Sequence, residues 1–305
     1  MKEQRIMANI INGFSSGEWT YEHPNDGEIS IAYQIAGQGP ALLLLHGFPQ
    51  SKIIWHHVAP LLSQHFTVIA SDLRGYGESS KPVGNFDHSN YSKRSMAKDQ
   101  VELMKHLGFD QFYLLGHDRG GRVSHRLAAD HPNHVKKLMV LDISPTLAMY
   151  EQTNMRFASG YWHWFFLIQQ HPIPETMIGA DVEFFMKQFM GGRHAGLSIF
   201  ETSCWNEYVN AMKNPAGLHA MCEDYRAAAS IDLEHDRVDL AAGKKLQMPL
   251  RVLWGEHGLV NQCFNPMADW SKVALVVSGK TVPSGHYIPE EAPSVLFDEA
   301  IAFFQ

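Results

Sequence analysis

The sequence predicts an α/β fold: a mostly parallel central sheet flanked by helices, with a helical cap inserted into it. Three observations point there. Short continuous apolar runs alternate with segments of helical periodicity up to Asp142, as strands buried on both faces and their crossover helices require. The apolar runs end in loops holding glycine, aspartate or histidine. From about Pro145 to Asp239 the alternation yields to an aromatic-rich, helix-like stretch, and it resumes at Leu250. The expected organisation is a first part of the sheet domain over 1–144, a cap over 145–239 and a second part of the sheet domain over 240–305.

Taken in order, residues up to about Gly17 read as a loose leader. Trp19–Glu22 and Ile29–Ile35 read as strands, the second alternating and closed by Gly37-Gln38-Gly39-Pro40. Ala41–Leu45 is a central buried strand that ends in His46-Gly47-Phe48-Pro49. A helix is expected over Trp55–Leu62. The next buried strand, Phe66–Ser71, empties into the glycine-bearing loop Asp72-Leu73-Arg74-Gly75-Tyr76-Gly77-Glu78-Ser79. Met96, Val101, Met104 and Leu107 mark one face of a helix over Lys93–Leu107, stopped by Gly108. Phe112–Leu115 is again a strand, its helix runs to about Asp130, and Lys137–Leu141 leads to Asp142. Within the cap, Val182–Met190, Phe200–Met212 and Pro215–Ala229 are helix-like. Strands follow at Leu250–Trp254 and near Ala274–Val277, and an amphipathic helix at Ser294–Phe304. Ligands of such sheets sit at the carboxyl ends of strands, so His46, Asp118 and Asp142 can converge.

A chain of 305 residues suffices for one large domain with an insertion. With 45% hydrophobic and 19% charged residues it is an ordinary globular composition. The net charge of −7 argues against nucleic acid or an acidic membrane as partner. An anionic substrate therefore needs local arginines. Three sparse cysteines, Cys204, Cys222 and Cys263, read as reduced thiols, and Met1–Arg5 leads into no apolar signal segment, so the expected location is cytoplasmic. None of the 18 histidines falls in a metal-ligand motif, so no metal is expected.

The chemistry is expected between Tyr113 and Arg122. Gly116-His117-Asp118-Arg119-Gly120 joins an apolar strand to a helical segment, the G-x-Nuc-x-G pattern of a strained nucleophile elbow. The central residue is Asp118 where an esterase would carry serine. A carboxylate displaces a leaving group from saturated carbon and leaves an ester on the enzyme. His286, in a loop after the last strand, has the chain position of the base. The acid that orients it is Asp142 or Glu256, each at a strand end; Asp142 is preferred, because Glu256 sits early in its loop and position 258 is glycine. Arg119 and Arg122 flank the nucleophile and suit a carboxylate ligand at a helix N-terminus; Arg126 is a weaker third member. In the cap, Trp162, Phe165 and Phe166 are assigned to core packing. His163, Trp164 and Tyr225 are donors fit for a halide pocket.

Together these residues resemble the haloacetate dehalogenases of the α/β-hydrolase fold, from about Gly37 onward. The likeness is carried by His46-Gly47-Phe48-Pro49, Asp72-Leu73-Arg74-Gly75-Tyr76-Gly77, Gly116–Arg122, Tyr161-Trp162-His163-Trp164 and Asp224-Tyr225-Arg226. The first two motifs are shared with epoxide hydrolases; Asp-Arg-x-x-Arg and Trp-His-Trp are more specific. The resemblance implies Asp118 as nucleophile, His286 as base and Asp142 as its acid. It also implies Arg119 and Arg122 on the substrate carboxylate, His163, Trp164 and Tyr225 on the departing halide, and a homodimer. The expected reaction turns a 2-haloacetate into glycolate and halide, with the backbone N–H groups of Phe48 and Arg119 holding the oxyanion and no cofactor required. The alternative is an epoxide hydrolase using Tyr161, Tyr208 or Tyr225 as proton donors. A ligand-binding receptor on a disused scaffold is a third reading, disfavoured by the complete Asp118/His286/Asp142 set.

Overall fold

The computed structural model describes residues 11–305; the first ten residues of the expected leader lie outside the described residues. The chain runs β1 (Ser15–His23), β2 (Gly27–Ala36), β3 (Ala41–Leu45), α1 (Ala59–Leu62), β4 (Thr67–Ser71), α2 (Lys93–His106), β5 (Phe112–His117), α3 (Arg119–Asp130) and β6 (Val135–Leu141). A helical insert follows: α4 (Thr146–Glu151), α5 (Met155–Gly160), α6 (His163–Phe166), α7 (Ile173–Ala180), α8 (Val182–Gly191), α9 (Thr202–Lys213), α10 (Pro215–Ala228) and α11 (Ile231–Ala241). The chain then returns to the sheet through β7 (Leu250–Gly255), α12 (Leu259–Cys263), α13 (Pro266–Val273), β8 (Val277–Val282), α14 (Ile288–Glu291) and α15 (Pro293–Phe304).

Among the described residues, eight strands form one sheet in the order β1-β2-β4-β3-β5-β6-β7-β8. Only the β1–β2 and β2–β4 pairings are antiparallel. Leu42, Leu43, Leu44 and Leu45 have no exposed surface, because helices cover both faces of the parallel part. Register alone sets the strand ends side by side. Leu45 of β3 pairs with Ser71 of β4 and Gly116 of β5, His117 with Leu141 of β6, and Leu141 with Leu253 of β7. The residues that follow, His46, Asp72, Asp118 and Asp142, therefore emerge along one edge.

Several expectations need correction. The first strand begins at Ser15, so the leader ends earlier than Gly17. The helix expected over Trp55–Leu62 is two short pieces, a 3-10 turn at Lys52–Trp55 and one α turn at Ala59–Leu62. Pro60 is the cause: it lacks an N–H and its ring would strike the carbonyl of His56 in a continuous helix, whereas it fits the first turn of α1. The last strand occupies Val277–Val282 instead of Ala274–Val277. As the outer strand of the sheet it carries Ser278, Lys280 and Thr281, and an edge needs no apolar run. Leu275 and Val276, which suggested a buried strand, are exposed.

Candidate active site

Asp118 ends the β5–α3 turn with φ 47° and ψ −113°, a conformation that costs a non-glycine residue energy and recurs where function requires it. The glycines two residues to either side make it possible. A Cβ on Gly120 would run into the carbonyl oxygens of Leu45 and His46, and one on Gly116 into the Ser124 hydroxyl. The carboxylate is buried, and its Oδ1 accepts the Phe48 N–H at 3.0 Å. Oδ2 lies 4.0 Å from His286 Nε2, outside hydrogen-bond range. Burial works to raise the Asp118 carboxyl. The neighbouring His286 and His117 imidazoles and the Arg122 and Arg119 guanidiniums outweigh it and hold the group well below the usual carboxylate range.

His286 is oriented from its other side. Nδ1 lies 2.6 Å from Asp142 Oδ2, while Asp142 Oδ1 accepts the Gly255 N–H at 3.0 Å. Glu256 is exposed and does not approach the imidazole; its N–H donates to the Val282 carbonyl. A Cβ on Gly258 would stand 3.1 Å from Asp142 Oδ1, so the glycine leaves room for the carboxylate that comes from β6. Burial pushes the Asp142 carboxyl up and, with the Arg193 charge, the His286 imidazole down. Both shifts express one fact: charge on this pair is poorly solvated. His46, by contrast, is tied into the loops, with the Leu73 N–H donating to Nε2 and Nδ1 3.0 Å from the Gly47 carbonyl.

The arginines differ in their ties. Arg119 donates from Nε and Nη2 to the two carboxylate oxygens of Asp224, at 2.9 and 2.7 Å. Lys93 and the Tyr76 hydroxyl bond the same carboxylate. Arg119 Nη1 is buried with no acceptor. Arg122 contacts Thr146 Oγ1 at 3.0 Å and the Ser144 carbonyl at 3.3 Å, and its Nε is likewise buried without one. Arg126 is used elsewhere, in ion pairs with Asp236 and Asp239 on α11. Because Asp224 balances two buried cations, Asp224→Asn is expected to lower the unfolding free energy by about 3–5 kcal/mol. Urea denaturation would measure it, and a change under about 1 kcal/mol would show that Asp224 does not carry this load.

The Arg119 guanidinium lies 4.2 Å from the Tyr225 ring centroid, and that of Arg122 4.6 Å from Trp164. His163 and Trp164 stand 5.9 and 6.4 Å from Tyr225 between ring centroids. His163 Nδ1 and Trp164 Nε1 are buried without partners, and burial together with the Arg193 charge keeps the imidazole neutral. The short helix α6 turns these two side chains inward. Trp162, expected in the core, is instead 41% exposed, and Phe165 and Phe166 are only partly covered.

Two residues escaped the sequence reading. Tyr150 on α4 has a buried hydroxyl without a partner, in the field of Arg119 and Arg122. Arg193, in the loop after α8, is near enough for its charge to act on Asp118 and His286. Neither sits in a motif, and no spacing rule finds them. The structure also gathers His56, Glu201 and Cys204, and His171, Glu175 and His219, within 4.8 Å in each group. Neither includes a residue of this site, and Glu175 is engaged by Arg226.

Comparison with known proteins gives concordant results. The profile of the alpha/beta hydrolase fold matches residues 40–278. A fluoroacetate dehalogenase from Burkholderia sp is 47% identical over 268 residues, 88% of each chain. A soluble epoxide hydrolase from Corynebacterium sp. (strain C12) is 36% identical over 277 residues, covering 89% of this chain and 92% of that one. A crystal structure of a protein described as an alpha/beta hydrolase from Nostoc sp PCC 7120 superposes with a TM-score of 0.92 at 47% identity, covering 97% of this chain and 99% of that one.

Proposed function

The chain belongs to the α/β-hydrolase family, and from that premise we propose that it hydrolyses 2-haloacetates to glycolate and halide through an ester on Asp118. One observation carries the reading. Among the described residues, Arg119 Nη1, Arg122 Nε, His163 Nδ1 and Trp164 Nε1 are all buried without protein partners, and they belong to residues grouped around one ionised carboxylate. Buried polar atoms left unpaired call for an explanation, and a small acid that sheds a halide supplies it at both ends.

In this reading Arg119 and Arg122 hold the substrate carboxylate and fix the halogen-bearing carbon before Asp118. Oδ1 is already bonded to the Phe48 N–H, so Oδ2 is the attacking oxygen and Oδ1 becomes the ester carbonyl. The C–O bond forms as the carbon–halogen bond breaks, and His163, Trp164 and Tyr225 stabilise the charge that grows on the halide. Neutral His286 then takes a proton from water as that water attacks the ester carbonyl carbon, and Asp142 stabilises the imidazolium. The Phe48 N–H, with the Arg119 N–H, receives the oxyanion. Collapse releases glycolate and restores the Asp118 carboxylate. Every residue in this account belongs to the chain itself.

Epoxide hydrolysis is the second reading, favoured by the Tyr161 hydroxyl 3.3 Å from His286 Nδ1 and by the likeness to the soluble epoxide hydrolase. Of the three tyrosines named for it, Tyr208 donates to Glu290. Two arginines at the nucleophile have no task on a neutral epoxide. Halide release and glycolate formation from fluoroacetate, chloroacetate and bromoacetate should be observed. Opening of styrene oxide with no release from any of the three acids would reverse the assignment.

A further inference from the structure

Arg193 has no role in the two steps above, yet it lies against the site. Its Nε is buried with no acceptor, and among the described residues no carboxylate pairs with its guanidinium. The group is held between rings, 4.8 Å from the centroid of Tyr161, 4.9 Å from Phe189 and 5.6 Å from Tyr287. The Tyr161 and Tyr287 hydroxyls also face its N–H groups, but neither a ring face nor a neutral hydroxyl supplies a counter-charge. Tyr161 and Phe189 flank His163, at 5.2 and 4.6 Å between centroids, and Tyr287 packs against His286. Arg193 thus stands on the His286 side of the halide donors, whereas Arg119 and Arg122 lie over Tyr225 and Trp164.

The balance of charge sharpens the point. Asp224 is taken by Arg119 and Lys93, and Asp142 by His286. Among the described residues, Arg122 and Arg193 are left without a paired carboxylate; the field of Asp118 reaches both, and Asp142, already bonded to His286, also feels Arg193. A substrate with one carboxylate answers only one of them, and an unpaired buried cation is costly.

We propose that Arg193 recognises a second carboxylate, so that 2-halo dicarboxylates of the 2-chlorosuccinate type are substrates of this site; the inference rests on the dehalogenation reading. With the C1 carboxylate on Arg119 and Arg122 and the halogen toward His163, Trp164 and Tyr225, the remaining substituent on C2 extends toward Arg193. Asp118 displaces chloride from C2, and water cleaves the ester. The products are malate, chloride and one proton.

The test compares kcat/KM for 2-chlorosuccinate and 2-chlorobutanoate, which differ in ending in a carboxylate or a methyl group, with chloroacetate as reference. Wild type, Arg193→Gln and Arg193→Lys are assayed together. Wild type should favour chlorosuccinate over chlorobutanoate by roughly ten- to a hundredfold, the scale of a buried charge-assisted hydrogen bond. The ratio should fall to near unity in Arg193→Gln and recover in part in Arg193→Lys. A wild-type ratio at or below unity, with chloroacetate still consumed, overturns the inference. So does an equal loss on all three acids in Arg193→Gln, which would make Arg193 a positioning residue for His286. If no acid releases halide, the dehalogenation reading fails by itself. Calorimetric binding of malate against 2-hydroxybutanoate then decides Arg193 separately: a preference for malate that Arg193→Gln removes upholds the second carboxylate site, and no preference ends it.

Discussion

Asp118→Asn is expected to stop halide release, with kcat falling by on the order of 10⁶-fold, the scale at which a hydrolase loses its nucleophile. The amide is nearly isosteric, so the elbow backbone at φ 47° and the Phe48 N–H bond to the side-chain oxygen are both retained. What disappears is the anionic oxygen proposed to attack the substrate carbon. No neighbour replaces it. The nearest candidate, His286, is held neutral beside Asp142, the arrangement proposed above to activate water. A residual rate within about 10²-fold of wild type would mean that water attacks the substrate carbon directly, as general-base assistance alone is worth about that much.

The second large effect separates the two steps. His286→Asn removes the proposed base while leaving the proposed nucleophile in place, because Oδ2 and Nε2 are 4.0 Å apart and share no hydrogen bond. Alkylation should therefore proceed once, and hydrolysis should slow by about 10²–10⁴-fold. The expected record is a burst of one halide per site followed by near silence. Intact-protein mass spectrometry should show one carboxymethyl group added, lying on the peptide that contains Asp118. Loss of the burst together with the steady rate would contradict this division of labour, since His286 would then be needed before the ester exists.

Much of this site was legible because sheets place strand ends in a row. The apolar runs that gave β3, β5 and β6 also located Asp118 and Asp142, and the register brings them together without help from side chains. The choice of Asp142 over Glu256 rested on the early place of Glu256 in its loop and on a glycine at 258; a physical reason underlies the second, for a side chain there would crowd the Asp142 carboxylate. The start of α3 was less visible. Arg119-Gly120-Gly121 contains no large apolar residue, so periodicity does not mark the first turn of the helix, which begins at Arg119. The edge strand β8 and the outward Trp162 were misread for a related reason, that apolar character does not report which face of an element meets water. Tyr150 and Arg193 were invisible, because their positions follow from how helices of the insert pack over the sheet, and sequence spacing carries no record of it.

The pairing of Arg119 with Asp224 has a consequence for molecular traffic. Asp224 belongs to α10, in the helical insert, while Arg119, Lys93 and Tyr76 belong to the sheet side. Swinging the insert away as a rigid body would strip two cations of their shared counter-charge at once and break the bond from Tyr208 to Glu290 as well. Each broken buried pair costs several kcal/mol, roughly 3–5 by the usual scale. These pairs therefore oppose rigid-body opening and favour entry past individual side chains with the insert in place. Entry of that kind would act as a sieve, passing small molecules more readily than bulky ones whatever their reactivity.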